Sequence, residues 1–203
     1  MPTPTQTDTP THTPTLTVPP TFDITYIPTI QPDIFSPGCP LINEARVFAQ
    51  FSQNQAGISA AVVTDGYSNQ VMRLDFTNVS GAGGNYAGWE IWLGADDQSG
   101  IPFLAYNLLV FNVRGQVGGE EPNVYLMMPA VGQDYQRYWK EVKQVAPVTT
   151  SWTRIEIPLA HFTSSQAPNQ QVDLSNIQRI QFLFEWYSLP TSGTIYIDDL
   201  CVQ

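Results

Sequence analysis

The stretch Asn107 to Met128, NLLVFNVRGQVGGEEPNVYLMM, constrains the fold more than any other part of the chain. Leu109, Phe111 and Val113 alternate along its first half, and Val124, Leu126 and Met128 along its second. That is the period-2 pattern of β-strands. Between them Gly115-Gln116-Val117-Gly118-Gly119 is turn chemistry, because glycine reaches positive φ without steric cost. The stretch reads as two strands joined by a glycine-rich turn. Its alternate positions are not plainly polar, since Leu108, Val110 and Met127 stand there. Strands apolar on both faces are usually covered on both faces. One face is therefore the domain core, and what covers the other becomes the functional question.

The pattern continues on either side. Strands are expected at roughly 45–52, 57–63, 70–77, 86–94, 107–114, 122–129, 136–145, 151–158, 177–186 and 194–202, with turn clusters such as Asp65-Gly66 and Gly81 to Asn85 between them. Helical turns are expected only near Asn43 to Arg46 and Leu159 to Phe162. Many short strands with regular turn signals mean an all-β sandwich or barrel, here over residues 39–203. Two segments precede it. In residues 1–20 Thr occupies every odd position from Thr3 to Thr17, and the segment holds six prolines, which suits a linker or an O-glycosylated stalk rather than a core. Residues 21–38 form a hydrophobic arm, Phe22, Ile24 and Tyr26 alternating before Pro28, Pro32 and Pro37 interrupt. The arm is expected to lie on its own domain; the alternative is strand addition to a neighbouring copy.

Charge and hydropathy exclude several classes. Eight Lys+Arg against eighteen Asp+Glu give a net charge of −10, with no basic stripe for nucleic acid. No apolar run approaches the length of a transmembrane helix. Met1 leads directly into the Thr/Pro tract, so no signal peptide is expected there and the start reads as a processed boundary. Hydrolytic motifs are also missing. The histidines, His12 and His161, belong to no HExxH helix, and there is no GxSxG elbow. The adjacent pairs Asp96-Asp97, Glu120-Glu121 and Asp198-Asp199 point to opposite faces of an extended chain and do not make an acid/base couple. A couple drawn from distant strands, such as Glu90 with Glu185, stays open; it would need carboxylates about 5–10 Å apart. The sequon Asn78-Val79-Ser80 is too short a pattern to carry weight.

Several pieces occur in a set order. They are Tyr86-Ala87-Gly88-Trp89, Leu109 to Gly115, Gly118-Gly119-Glu120, Trp152 with Ile155, Ile157-Pro158-Leu159 and Phe162, Val172 to Ile177, and the closing Gly193-Thr194-Ile195-Tyr196-Ile197-Asp198-Asp199-Leu200. Over roughly residues 80–202 this resembles the calcium-containing jelly-roll carbohydrate-binding modules of the galactose-binding-like superfamily, family eleven and its relatives. The resemblance implies a jelly-roll β-sandwich of two antiparallel sheets, a polysaccharide ligand, no catalysis, and a secreted or cell-surface setting. It also implies a structural Ca²⁺ ligated near Asp198 and Asp199, with Glu44, Asp65 and Asp75 as further oxygen donors. Where the acidic-aromatic opening usual in such modules would stand, this chain has the 21–44 arm. In a jelly roll the first and last strands lie side by side, so a Cys39–Cys201 disulfide would tie the domain ends; the alternative is two buried thiols.

Such modules stack pyranose C–H faces on aromatic rings and satisfy hydroxyls with polar side chains. The aromatics expected on the outer face are Trp92, Tyr125, Tyr138, Trp139 and Trp186. Arg114, Arg179, Gln181 and Glu185 are the polar strand positions suited to hydroxyls. Trp89, Ile91 and Leu93 alternate with Trp92 and are assigned to the core. A second reading uses the same fold structurally, as a subunit of a surface layer or filament joined through the arm and an apolar face of Leu108, Val110, Met127 and Leu183.

Overall fold

The computed structural model describes residues 22–26, 34–66, 69–79, 84–94, 99–128, 137–164 and 172–203. The expectations for residues 1–20 lie outside them. The described chain is almost wholly strand: β1 (Phe22–Tyr26), β2 (Ala45–Gln53), β3 (Gly57–Thr64), β4 (Gln70–Thr77), β5 (Tyr86–Leu93), β6 (Leu108–Gly115), β7 (Asn123–Met127), β8 (Arg137–Glu141), β9 (Thr153–Pro158), β10 (Thr163–Ser164), β11 (Arg179–Phe184) and β12 (Gly193–Val202). A single turn of helix, α1 (Leu41–Glu44), and short 3-10 turns at Val142–Gln144 and Leu159–His161 complete it. The expected strand at 136–145 is thus shorter, because the chain turns into a 3-10 segment at Val142.

The strands form two antiparallel sheets, β1-β2-β5-β11-β7-β8-β10 and β3-β4-β12-β6-β9. Sequence neighbours fall repeatedly into different sheets, as in a jelly roll. This corrects the simplest picture of the 107–128 stretch. Its two strands do not pair: β6 lies between β12 and β9, whereas β7 lies between β11 and β8. The glycine-rich link carries the chain from one sheet to the other, with Gly118 and Gly119 at φ of 91° and 86°. Glu120 holds the link. Its buried carboxylate accepts the amides of Val117 at 3.0 Å and Gly118 at 2.9 Å.

The core lies between the sheets and follows the alternation. Leu109, Phe111 and Val113 of β6 meet Val124 and Leu126 of β7, Trp89 and Ile91 of β5, and Phe182 and Phe184 of β11. Aromatic contacts bridge the sheets: Phe111 stands edge-on to Phe182 at 5.1 Å, and Phe76 stacks on Phe184 at 3.7 Å. Each such ring contributes about 2–3 kcal/mol by burial.

The arm joins the same body. β1 extends the seven-stranded sheet by pairing with β2, from Phe22 opposite Gln53 to Tyr26 opposite Ala49. This is the intramolecular version, and the added strand covers an edge that would otherwise be free to template another chain. Ile34 and Phe35 are buried in the core. Ser36 donates its hydroxyl to the Asp199 carbonyl at 2.8 Å. Cys39 and Cys201 are joined in a disulfide, their Cα atoms 5.5 Å apart and 162 residues apart in sequence.

Candidate functional site

The outer face of the seven-stranded sheet follows from register alone. On β5 the alternation that buries Trp89 and Ile91 sends Tyr86, Gly88, Glu90 and Trp92 outward. Pairing then aligns rows across the sheet. Trp92 stands opposite Arg179, Arg179 opposite Met127, and Met127 opposite Arg137. In the next row Glu90 stands opposite Gln181, Gln181 opposite Tyr125, and Tyr125 opposite Trp139. In the third, Phe51 stands opposite Gly88, Gly88 opposite Leu183, and Leu183 opposite Asn123.

These rows enclose a cleft of about 300 Å³, lined by Phe51, Tyr86, Glu90, Trp92, Gln181 and Glu185 among others. Its floor is apolar. Phe51, Tyr125, Met127 and Leu183 form a hydrophobic cluster separate from the core, with Tyr86 and Trp139 packed against it. Gly88 makes the floor possible. A Cβ there would lie 2.6 Å from Phe51 Cζ, 2.8 Å from the Phe182 carbonyl oxygen and 3.0 Å from Leu183 Cδ1. Phe51 and Leu183 therefore meet over the one position without a side chain.

Two carboxylates hold the polar parts of the cleft. Glu90, 2% exposed, accepts from the Trp92 indole, the Gln181 amide and, at 3.3 Å, Arg179 Nη1. A buried carboxylate is tolerated where an opposite charge and further donors fill its lone pairs, and all are here. Arg179 lies with Cζ 3.9 Å from the Trp92 ring centroid, and Arg46 lies 5.7 Å from it. The second carboxylate, Glu185, uses one oxygen, Oε2, to accept from Asn123 Nδ2 at 2.6 Å, from Tyr125 Oη at 2.8 Å, and from Tyr187 Oη. Burial, then the neighbouring Glu185 charge, pushes the Tyr125 hydroxyl far above the usual phenol range. Tyr187 is pushed up by burial and by its bond to Glu185, and Tyr86 by burial first. These phenols stay protonated and are donors. Trp139, half-buried, stacks on Tyr125 with ring centroids 6.3 Å apart and planes inclined by 23°.

The expected residues sort as follows. Trp92, Tyr125, Trp139, Arg179, Gln181 and Glu185 share this face. Trp92 is only 7% exposed and its ring is covered by Arg179, so it positions the arginine rather than offering an open stacking surface. Trp186, at 56% exposure, stands on the turn after β11, edge-on to Tyr187 at 5.3 Å. Two assignments are corrected. Tyr138 is 1% exposed and belongs to the core, because the β7–β8 register places Trp139 beside Tyr125 and Tyr138 beside Leu126. Arg114 is on an outer face, but that of the five-stranded sheet, since β6 pairs there. Sequence reasoning missed Phe51, Asn123 and Tyr187. Asn123 was legible, lying two residues before Tyr125 on the same strand face.

Glu90 and Glu185, the acid/base couple left open, both line the cleft. Glu90 is opposite Gln181, four residues from Glu185 along β11, about 13 Å of extended chain. Each carboxylate is also engaged by several donors. At the expected calcium position, Asn69 Nδ2 donates to Asp198 Oδ2 at 2.6 Å and Asn112 Nδ2 to Asp199 Oδ2 at 2.7 Å. Burial pushes the Asp198 carboxyl up, with Asp65 and Asp199 adding to the rise. Asp75 is elsewhere engaged, by Arg73 and Thr194. No group of three or more His, Cys, Asp or Glu suited to a metal stands together among the described residues. Asp198 and Asp199 bring two carboxylates to this place, and backbone or amide carbonyls would have to complete the six to eight oxygens that calcium takes.

A family model described as carbohydrate binding domain 30 matches residues 43–203. No curated protein matches the chain. Among solved structures it is similar to the family 11 carbohydrate-binding module of a cellulosomal cellulase of Clostridium thermocellum, with a TM-score of 0.60 and 18% identity over 77% of this chain and 88% of that one. It is similar to a family 11 module from Clostridium thermocellum in complex with a β-1,3-1,4-mixed-linked tetrasaccharide, at 0.58 and 18% over 76% and 87%. A family 30 module of a Clostridium thermocellum cellulosomal cellulase is similar at 0.54 and 19% over 71% and 82%. At these identities the likeness is one of fold.

Proposed function

The chain belongs to the carbohydrate binding domain 30 family, and from that premise we propose that its polysaccharide lies in the cleft on the outer face of the seven-stranded sheet. The domain is a carbohydrate-binding module, and the proposal concerns where and how it binds. The observation that carries it is an apolar floor, separate from the core, walled by donors and acceptors already fixed in place. Sugar rings have that same division, with apolar C–H faces and a polar rim. Tyr86 and Trp139 offer partly open rings on either side of the floor. They stand three strand spacings apart across the sheet and four residues apart along it, roughly 19 Å in all. Gln181, Arg179 and Asn123 reach for hydroxyls, held by Glu90 and Glu185. Because the network is set before ligand arrives, little side-chain ordering is left for binding.

The tetrasaccharide bound by the family 11 module makes a mixed-linked β-glucan oligosaccharide the first ligand to try. Titration calorimetry tests the face. Trp139→Ala and Tyr86→Ala are each expected to weaken binding at least about tenfold. Affinity unchanged in both variants, with the fold intact, would overturn the assignment. We propose that the domain works in an oxidising, extracellular setting, which the Cys39–Cys201 disulfide supports. The Thr/Pro segment then acts as the linker that lets it bring an attached partner to the polysaccharide.

A further inference from the structure

The opposite side of the sandwich carries a different arrangement. Across the outer face of the five-stranded sheet, β12 places Tyr196 between Arg73 of β4 and Arg114 of β6. Trp152, just before β9, stands on the other flank of Arg114. The Arg114 Cζ lies 3.9 Å from the Tyr196 ring centroid and 5.1 Å from that of Trp152. The guanidinium is held between two rings, with Trp152 still 38% exposed.

Three arginines lie on this face, and their charges are treated differently. Arg73 pairs with Asp75 at 2.9 Å, and Arg154 with Glu156 at 2.8 Å. In each case the carboxylate is two residues further along the same strand and so on the same side. The corresponding neighbours of Arg114 are Asn112 and Gln116, both uncharged. Among the described residues no carboxylate forms an ion pair with Arg114. The acidic groups nearest in register are one step along the sheet: Asp198 opposite Asn112, bonded to Asn69, and Asp199, bonded to Asn112. In a chain of net charge −10, this cation has no carboxylate partner among the described residues.

We propose that the outer face of the five-stranded sheet holds a second site, centred on Arg114 with Trp152 and Tyr196, that takes the carboxylate of a uronosyl sugar. A guanidinium packed against two rings, with no carboxylate paired to it among the described residues, can meet a planar carboxylate bidentately. The exposed Trp152 ring supplies the adjoining surface for a pyranose face. Charge and stacking stand side by side, the least that recognition of an acidic sugar needs. The site lies on the other sheet from the neutral-sugar cleft, shares no residue with it, and does not rest on the reading of that cleft.

The test uses the full chain and trigalacturonate, with the same trisaccharide after carboxyl reduction and inorganic sulfate as comparisons. Heteronuclear NMR should show trigalacturonate shifting the Trp152 indole N–H while the Trp139 indole stays put. Neither the reduced sugar nor sulfate at equal concentration should do so. Arg114→Gln is expected to weaken trigalacturonate binding at least about tenfold. Arg114→Lys, which keeps charge but loses the planar fork, should fall between. Thermal unfolding and the neutral-glucan isotherm of each variant check the fold. Shifts confined to the Trp139 face, equal binding of the reduced sugar, equal competition by sulfate, or an Arg114→Gln variant that binds as the parent does would each overturn the proposal.

Discussion

Glu185→Gln tests whether the node at one end of the cleft is an electrostatic device or only a packed corner. In the parent, one carboxylate oxygen accepts from Asn123, Tyr125 and Tyr187. Asn123 and Tyr125 are 2% and 6% exposed; Tyr187 is more open, so its bond counts for less. A hydrogen bond to a charged acceptor contributes about 1.5–3 kcal/mol and a neutral one about 1 kcal/mol. Neutralising Glu185 while keeping its shape then costs about 1 kcal/mol for each of the two buried bonds, about 2 kcal/mol together. Tyr125→Phe removes one charge-assisted bond and costs about 2 kcal/mol. Since both changes act on the same bond, the double variant should lose about 3 rather than 4 kcal/mol, a coupling of about 1 kcal/mol. Urea unfolding at pH 7, followed by tryptophan fluorescence, reads all four corners of the cycle. Additivity within about 0.5 kcal/mol would refute the reasoning. So would a Glu185→Gln variant as stable as the parent. Because Tyr125 supports Trp139, glucan affinity should fall along with stability.

Gly88→Ala should destabilise by about 1–3 kcal/mol, since the new methyl meets a carbonyl as well as two side chains, and it should weaken glucan binding by separating Phe51 from Leu183; a variant with parental Tm and affinity would show that the floor is looser than described. The raised phenol values of Tyr86, Tyr125 and Tyr187 give a sign for alkaline pH. Ionisation is easier unfolded, so their contribution is complete below about pH 10 and lost as pH rises toward the folded values. Absorbance at 295 nm should show a late-titrating subset, and a single ordinary transition for all nine tyrosines of the folded chain would contradict it. Reducing Cys39–Cys201 opens a loop spanning 162 residues, for which chain entropy predicts a loss of about 5 kcal/mol; urea midpoints unchanged by reductant would count against that mechanism. If Asp198 and Asp199 hold Ca²⁺, as the family resemblance implies, chelation should lower Tm by several degrees and re-addition restore it, whereas an unchanged Tm would remove the ion from the account of this fold.

The strands were legible because nearly every one has a single core face, so period-2 alternation separates Trp89 and Ile91 from Glu90 and Trp92 without knowledge of partners. What alternation cannot supply is the sheet to which a strand belongs. Arg114 was correctly placed off the core, yet both sheets have an outer face, and the glycine-rich link sends β6 and β7 to opposite ones. Tyr138 failed for a related reason. In Arg137–Glu141 both phases present an aromatic, and only pairing with β7 decides between Tyr138 and Trp139. At Asp198 and Asp199 the pattern itself breaks. The β12–β6 register is regular through Asp198 and shifts before Cys201, and Asp199 takes a φ of 52°, so Asp199 does not occupy the position that strict alternation assigns.

The disulfide between residue 39 and residue 201 also has a mechanical meaning. Tension applied through the Thr/Pro segment on one side and through the end of β12 on the other passes across a 5.5 Å covalent clasp, not through the sandwich. What lies before Cys39, and Val202 and Gln203 after Cys201, are exposed to the pull. β1 can peel from β2, and Ile34 and Phe35 can be drawn out, but there the extension stops. The 162 residues that follow, on the order of 550 Å if fully drawn out, stay under no load while the clasp holds. The face that grips a polysaccharide lies within that shielded loop.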